Sequence, residues 1–259
     1  MVLLMGLFNE WLETITPKFE NVMDEQSQFR RDITELFAED QLKHQSKILF
    51  KGEKTIPLNW DKFRIELIGS NRYTRYRRDR RPRKIVTHWD ATLSAAHCVR
   101  IFKRKKASTH FIIDNDGTII QLVDVNNKAW HARKHNRYTI GIDFSNAFYE
   151  KYQKNYVKMG HGKRPVITSY VHNKKMDHLG YYPVKLEAYA KLVEALTDHF
   201  EIDLKCPLKD GKLKTTKDNS ACLNKYNGVV CHYHLTTNKI DCAGLELDKI
   251  LEEIKKGKE

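Results

Sequence analysis

The stretch His110–Val123 reads HFIIDNDGTIIQLV, two β-prone runs on either side of Asn115-Asp116-Gly117. Glycine after aspartate supplies the left-handed backbone that a tight connection needs, so the pattern predicts a hairpin of His110–Ile113 with Thr118–Val123. That commits the middle of the chain to a sheet. Further β-prone runs at Lys84–Thr87, Thr139–Phe144 and Val229–Tyr233 supply more strands. Helical spacing separates them. Leu93–Lys105 places Ala96, Val99 and Phe102 on one side, and Lys185–Phe200 turns Leu186, Tyr189, Val193, Leu196 and Phe200 inward. Leu245–Ile254 does the same with Leu247, Ile250, Leu251 and Ile254. Alternating strands and helices predict an α/β fold with a central mixed β-sheet flanked by helices.

The remaining segments are less patterned. Leu3, Leu4, Leu7, Phe8, Trp11, Leu12 and Ile15 recur at helical spacing, and 24–44 is again helix-like, so residues 1–45 read as an N-terminal helical extension that packs, self-associates or docks. The apolar run Val2–Phe8 lacks a basic leader and meets Glu10 and Glu13, which makes it a poor signal peptide and too short a membrane span. Residues 46–83 read as a basic linker or approach segment, and 150–180 and 203–227 as lysine-rich loops that line a groove. At 259 residues with 41% hydrophobic content, a full core is within reach. The net charge of +13 implies a polyanionic partner: nucleic acid, an anionic membrane or an acidic wall polymer. RYTRYRRDRRPRK at 72–84, with tyrosines among arginines, also suits single-stranded nucleic acid. Five scattered cysteines without a CxxC pair argue against a disulfide framework or a cysteine-only zinc site, and suggest synthesis in a reducing compartment.

Chemistry gathers where strands end. KIVTHWDAT at 84–92 closes a β-prone run on His88, and GVVCHYHLTTNKIDCAG at 228–244 closes another on His232. In a strand, His232 and His234 share a face. A catalytic zinc needs three His, Asp, Glu or Cys ligands and one position left for water. His88, His232 and Asp241 from the following loop suit that requirement. No GxSxG elbow is present, and Cys98 falls inside a predicted helix without a partner, so serine and cysteine nucleophiles are disfavoured.

These motifs carry a resemblance. IVTHWDAT, then STHFIIDNDGTIIQLVDVNNKAWHARKHNRYTIGIDFSNA at 108–147, then HYHLTTNKIDCAG, resemble in order the zinc-dependent N-acetylmuramoyl-L-alanine amidases of the amidase-2 class, whose fold is shared with peptidoglycan recognition proteins and phage lysozyme-type amidases. The resemblance spans about 84–256, the expected amidase domain. It implies one zinc per chain held by His88, His232 and Asp241, with Cys242 and His234 as alternatives for the third ligand. It implies a substrate cleft bordered by His110 and His131, with Trp130 in the same AWHA motif as a wall. Asp143 stands where many members carry a glutamate, and Thr109 where some phage members carry a tyrosine.

The implied reaction is hydrolysis of the amide between N-acetylmuramic acid and the L-alanine of the stem peptide. Zinc brings the pKa of bound water to around 7. Asp143 is the expected proton carrier and Lys239 the expected stabiliser of negative charge on the carbonyl oxygen. The expected partner is peptidoglycan. The expected setting is synthesis in the cytoplasm and action on the bacterial wall, as a lysin or through another export route. Two other readings compete: a non-catalytic wall-binding module of the same fold, and a nucleic-acid-binding protein using 72–84.

Overall fold

The computed structural model describes residues 45–258; the helical extension read over 1–45 lies outside the described residues. Six strands form the central sheet: β1 (Phe63–Ile65), β2 (Lys84–Trp89), β3 (Phe111–Ile113), β4 (Ile119–Gln121), β5 (Thr139–Phe144) and β6 (Gly228–Cys231). Their order is β6-β2-β5-β3-β4-β1. Only β3 and β4 run antiparallel, so the sheet is mixed. The hairpin forms where the Asp-Gly turn directs it, with Gly117 at φ +82° and the Asp114 N–H donating to the Thr118 carbonyl at 2.9 Å. A Cβ at position 117 would also lie 2.8 Å from the Val184 side chain, so glycine is required twice over. Both hairpin strands are buried on both faces, the pattern of a sheet covered on two sides.

Three helices provide that cover: α1 (Ala95–Arg104), α2 (Pro183–Phe200) and α3 (Leu247–Lys256). Ile85, Ile140, Ile142 and Phe144 pack with Tyr189, Leu192, Val193 and Leu196 of α2 and with Ile250, Leu251 and Ile254 of α3. On the opposite face, Ile112 and Ile120 meet Ala95, Cys98 and Val99 of α1. Val99 and Phe102 of the expected face pack there, whereas Ala96 is exposed and Ala95 and Cys98 are buried in its stead. Ser94 caps that helix, its side chain accepting from the His97 N–H at 3.3 Å.

Residues 46–83 depart from the expected linker. Residues from Ser46 onward form one compact unit. A two-stranded ribbon of Gln45–Phe50 and Lys54–Asn59 places Ile48, Ile56 and Leu58 in the main core. The Gln121 side chain pins it to β4, accepting from the Leu49 N–H and donating to the Leu49 carbonyl, each at 2.7 Å. Within the arginine run, Arg80 is buried, its guanidinium donating to the carbonyls of Val125, Asn127 and Thr139. That arginine is an internal strut, while Arg75, Arg77, Arg78, Arg81 and Arg83 remain exposed.

The segment 150–180 is also more regular than a loop: Gln153–Lys158 is helical, and Val166–Val171 pairs antiparallel with Lys174–Leu179. Within 203–227, Leu208–Lys209 pairs with Lys212–Leu213. The expected strand Val229–Tyr233 stops at Cys231 and turns into one helical turn, His232–Leu235.

Candidate metal centre and cleft

Strands β6, β2 and β5 are parallel, so their carboxyl ends reach one edge of the sheet, where α/β folds place ligands. His88 is the penultimate residue of β2 and pairs in register with Asp143 of β5. Strand alternation turns Ile85, Ile142 and Phe144 toward α2 and leaves His88 and Asp143 on the other face. His232 follows β6 directly, and Asp241 returns in the next loop, whose backbone carbonyl accepts from the Tyr233 N–H at 3.1 Å.

These placements bring three donor atoms together. His88 Nδ1 lies 3.0 Å from His232 Nδ1 and 3.1 Å from Asp241 Oδ2, and His232 Nδ1 lies 2.9 Å from the same carboxylate oxygen. Ligands bound tetrahedrally at 2.0–2.1 Å sit about 3.3 Å apart, so the observed triangle fits one small cation with a side left open. Two imidazoles and one carboxylate match the donor set of catalytic zinc. The residues are 4%, 9% and 5% exposed. Burial, and then the neighbouring His232, push the His88 pKa down to about 4. The two histidines, acting against burial, hold Asp241 well below the usual carboxylate range. Both ligands are therefore in their metal-binding protonation states at neutral pH.

The alternatives for the third ligand are placed elsewhere. His234 is fully buried, with Nδ1 accepting from the Cys231 N–H at 3.0 Å and Nε2 donating to the Lys214 carbonyl at 2.5 Å. The helical turn that replaces the expected strand separates it from the face of His232. Cys242 is fully buried in the main core, its thiol pushed up by burial and by Cys231. Among the described residues, the grouping that can hold a metal is His88, His232 and Asp241.

A single chain of polar contacts supports His88. With Nδ1 facing the cluster, Nε2–H donates to His131 Nδ1 at 2.9 Å. His131 Nε2–H donates in turn to Thr139 Oγ1 at 3.0 Å, whose hydroxyl donates to the His135 carbonyl at 3.1 Å. Each tautomer follows from the one before. Gly141 makes room for this chain, since a Cβ there would stand 2.8 Å from the His131 ring.

A cleft of about 180 Å³ opens over the cluster, and Trp130, His131, Asp143 and Lys239 line it with the three ligands. Burial, then Asp90 and Asp241, push Asp143 well above the usual carboxylate range, while Lys239 and the nearby Thr109 hydroxyl oppose the shift. A divalent cation in the cluster would favour its ionised form. Trp130 is half-buried, its Nε1–H donating to Thr74 Oγ1 at 3.1 Å.

His110 does not reach the cleft. It is fully buried, with Nδ1 accepting from the Gly141 N–H at 2.9 Å and Nε2 facing the Asn127 carbonyl at 3.0 Å. Burial and then Arg80 hold its pKa down to about 3, so it is a neutral internal strut. Cys98 lines the cleft, but burial and then Asp90 and Asp143 raise its thiol pKa far out of nucleophilic range.

Sequence reasoning missed Asp90, which lines the same cleft. Its carboxylate accepts from the Thr92 N–H at 2.7 Å and the Asn146 N–H at 3.2 Å. The period of two from His88 was the available signal. Thr139 gave none, because its role depends on His131 folding back across β5.

A pair of histidines and a carboxylate, converging at the ends of parallel strands with one open side, defines a mononuclear metal site of catalytic type. Residues 78–241 match the family model described as N-acetylmuramoyl-L-alanine amidase, and the chain belongs to that family. Similar solved structures include a mutant endolysin from Bacillus subtilis at 17% identity and TM-score 0.43, covering 75% of this chain and 97% of the other. Staphylococcus aureus hydrolase AmiA with its ligand is 14% identical with TM-score 0.49, covering 76% and 86%. The Escherichia coli amidase AmiD, in complex with anhydro-N-acetylmuramic acid-L-Ala-D-gamma-Glu-L-Lys, is 17% identical with TM-score 0.35, covering 50% and 48%. Among curated proteins, none matches the chain. No helix among the described residues is long and apolar enough to cross a membrane.

Proposed function

We propose that the protein is a zinc-dependent peptidoglycan amidase that cuts the bond between the lactyl carbonyl of N-acetylmuramic acid and the nitrogen of L-alanine. The observation that carries this reading is the triangle of His88, His232 and Asp241, with sides of 2.9–3.1 Å, opening onto a cleft that Asp143 and Lys239 also line. Zinc held by these three residues would supply Lewis acidity and a water of near-neutral pKa.

The rest of the chemistry falls to the chain's own side chains. Asp143 takes a proton from the attacking water and delivers it to the alanine nitrogen as the carbon–nitrogen bond breaks. The Lys239 ammonium faces the carbonyl oxygen as negative charge develops there. His131 keeps the His88 ring in the orientation and tautomer the cluster needs. Trp130, with its half-buried ring, serves as a wall for substrate. Residues 46–83 belong to the catalytic unit with 84–256, and the exposed arginines of 75–83 favour approach to an anionic wall. The site of action is the bacterial wall.

The test is release of soluble stem peptides with a new L-alanine amino terminus from purified walls. The zinc-loaded protein should release them, and His232→Ala, which should also lose its zinc, should not. Release at the wild-type rate by the zinc-free variant would remove the proposal.

A further inference from the structure

His131, His232 and Lys239 also border a second cavity, of about 580 Å³. Its remaining charged lining is Arg133, Lys134 and Lys217, and no aspartate or glutamate contributes to it. Among the described residues, neither these three nor Lys239 makes an ion pair. His135 also lines the cavity, and is held down to about 4 by burial and then by nearby cations including Lys84, Lys134 and Lys217. It is neutral at physiological pH and leaves the field wholly to the arginine and lysines. The cleft that shares Lys239 with this cavity differs in carrying carboxylates, Asp90, Asp143 and Asp241, beside Ile101, Phe102 and Trp130. The metal cluster therefore borders both a cleft with apolar walls and carboxylates and a cavity whose only charged side chains are cations.

A muropeptide is polarised in the same sense about its scissile bond. Its glycan is uncharged, because the lactyl carboxyl is tied up in the amide. Its anionic groups all belong to the stem peptide. The first of them is the α-carboxylate that the second residue keeps free when it is a glutamate linked through its γ-carbonyl. That group lies about two residues, roughly 7 Å, from the scissile nitrogen. A carboxylate is attracted by the basic cavity, where low-dielectric walls strengthen the field.

We propose, on the footing of the amidase reading above, that the basic cavity is the stem-peptide subsite and that Lys134 and Lys217 make the enzyme select stems with a free α-carboxylate on the second residue over stems in which that group is amidated. The uncharged sugar then lies toward Trp130 and Phe102. Exposed charge pairs are individually weak, so two lysines give a preference on the order of three- to ten-fold, screened by salt.

The experiment compares two dipeptides, L-Ala-γ-D-Glu and its α-amide. Their binding to the zinc-loaded full chain is measured by calorimetry at low salt, and the turnover of the corresponding N-acetylmuramoyl dipeptides is followed in parallel. The expected result is a three- to ten-fold tighter acid, with the ratio falling toward one in Lys134→Ala/Lys217→Ala and at 0.5 M salt. Lys225→Ala, at an exposed lysine outside the cavity lining, should keep the wild-type ratio. Equal binding of acid and amide, or a preference that survives the double substitution, overturns the inference. Turnover of both substrates would in that case leave the amidase reading standing. Loss of turnover on both, with the binding preference intact, would instead count against the amidase reading alone.

Discussion

Replacing His131 by alanine tests the architecture of the metal centre more sharply than removing a ligand does. The substitution leaves all three donor atoms in the chain and deletes only the acceptor for His88 Nε2–H, 2.9 Å away. His88 is 4% exposed, so little water can take over the lost bond. Leaving a buried donor unpaired costs about 1–3 kcal/mol, which corresponds to roughly five- to 150-fold in an equilibrium constant. Losing an outer partner of a metal-binding histidine typically weakens metal binding about 10–100-fold, the same range reached independently. The assay is competition for zinc against a chromogenic chelator, with stoichiometry read from the same titration. His131→Ala should still bind one zinc per chain, with a Kd about 10–100-fold weaker. His131→Asn, which restores an acceptor near the position of Nδ1, should recover part of the loss. A Kd for the alanine variant within two-fold of wild type would refute the idea that the His88–His131–Thr139 chain orients the ligand.

Further expectations concern the cluster, the chemistry and acid stability. Asp241→Ala should abolish stoichiometric zinc, whereas Cys242→Ala should retain it; metal analysis of both, with zinc lost in the second alone, would move the ligand. Asp143→Asn should keep its zinc and lose on the order of 10²–10⁴ in kcat, and Lys239→Ala should lose about 10² with KM little changed; steady-state kinetics on a soluble muropeptide separates the two. His110 and His234, buried and neutral with pKa values of about 3 and about 4 against an ordinary 6.5, bind fewer protons folded than unfolded. Their stabilisation is therefore complete above pH 6.5 and is lost as pH falls toward 4, by up to about 1.4 kcal/mol per pH unit for each. Asp143, whose folded pKa is raised, contributes with the opposite sign. Denaturant titration of the metal-free protein at pH 7, 6 and 5 should show the loss, and His234→Gln should flatten it; an unchanged slope in that variant counts against the assignment.

Much of this protein was legible from local pattern. Asp116-Gly117 directs a hairpin wherever it stands between β-prone runs, and the spacing of Leu186, Tyr189, Val193 and Leu196 makes a helix in almost any context. The three metal ligands could be named because strand ends and the His-Lys-Asp loop carry their chemistry in order along the chain. Other features depended on partners distant in sequence. The ribbon of 46–59 has no strong period of its own and is ordered by the Gln121 side chain and by α2. Arg80 looks like its exposed neighbours until the carbonyls of Val125, Asn127 and Thr139 fold around it. His110 and His131 are near twins as sequence signals, yet one is buried against Gly141 of β5 and the other lies against His88. The turn at Cys231 sent His234 away from the metal face that a continued strand would have given it. Periodicity and residue chemistry are properties of a segment and survive being read alone; burial, tautomer and the sharing of one cation belong to surfaces that exist only once the segments have packed.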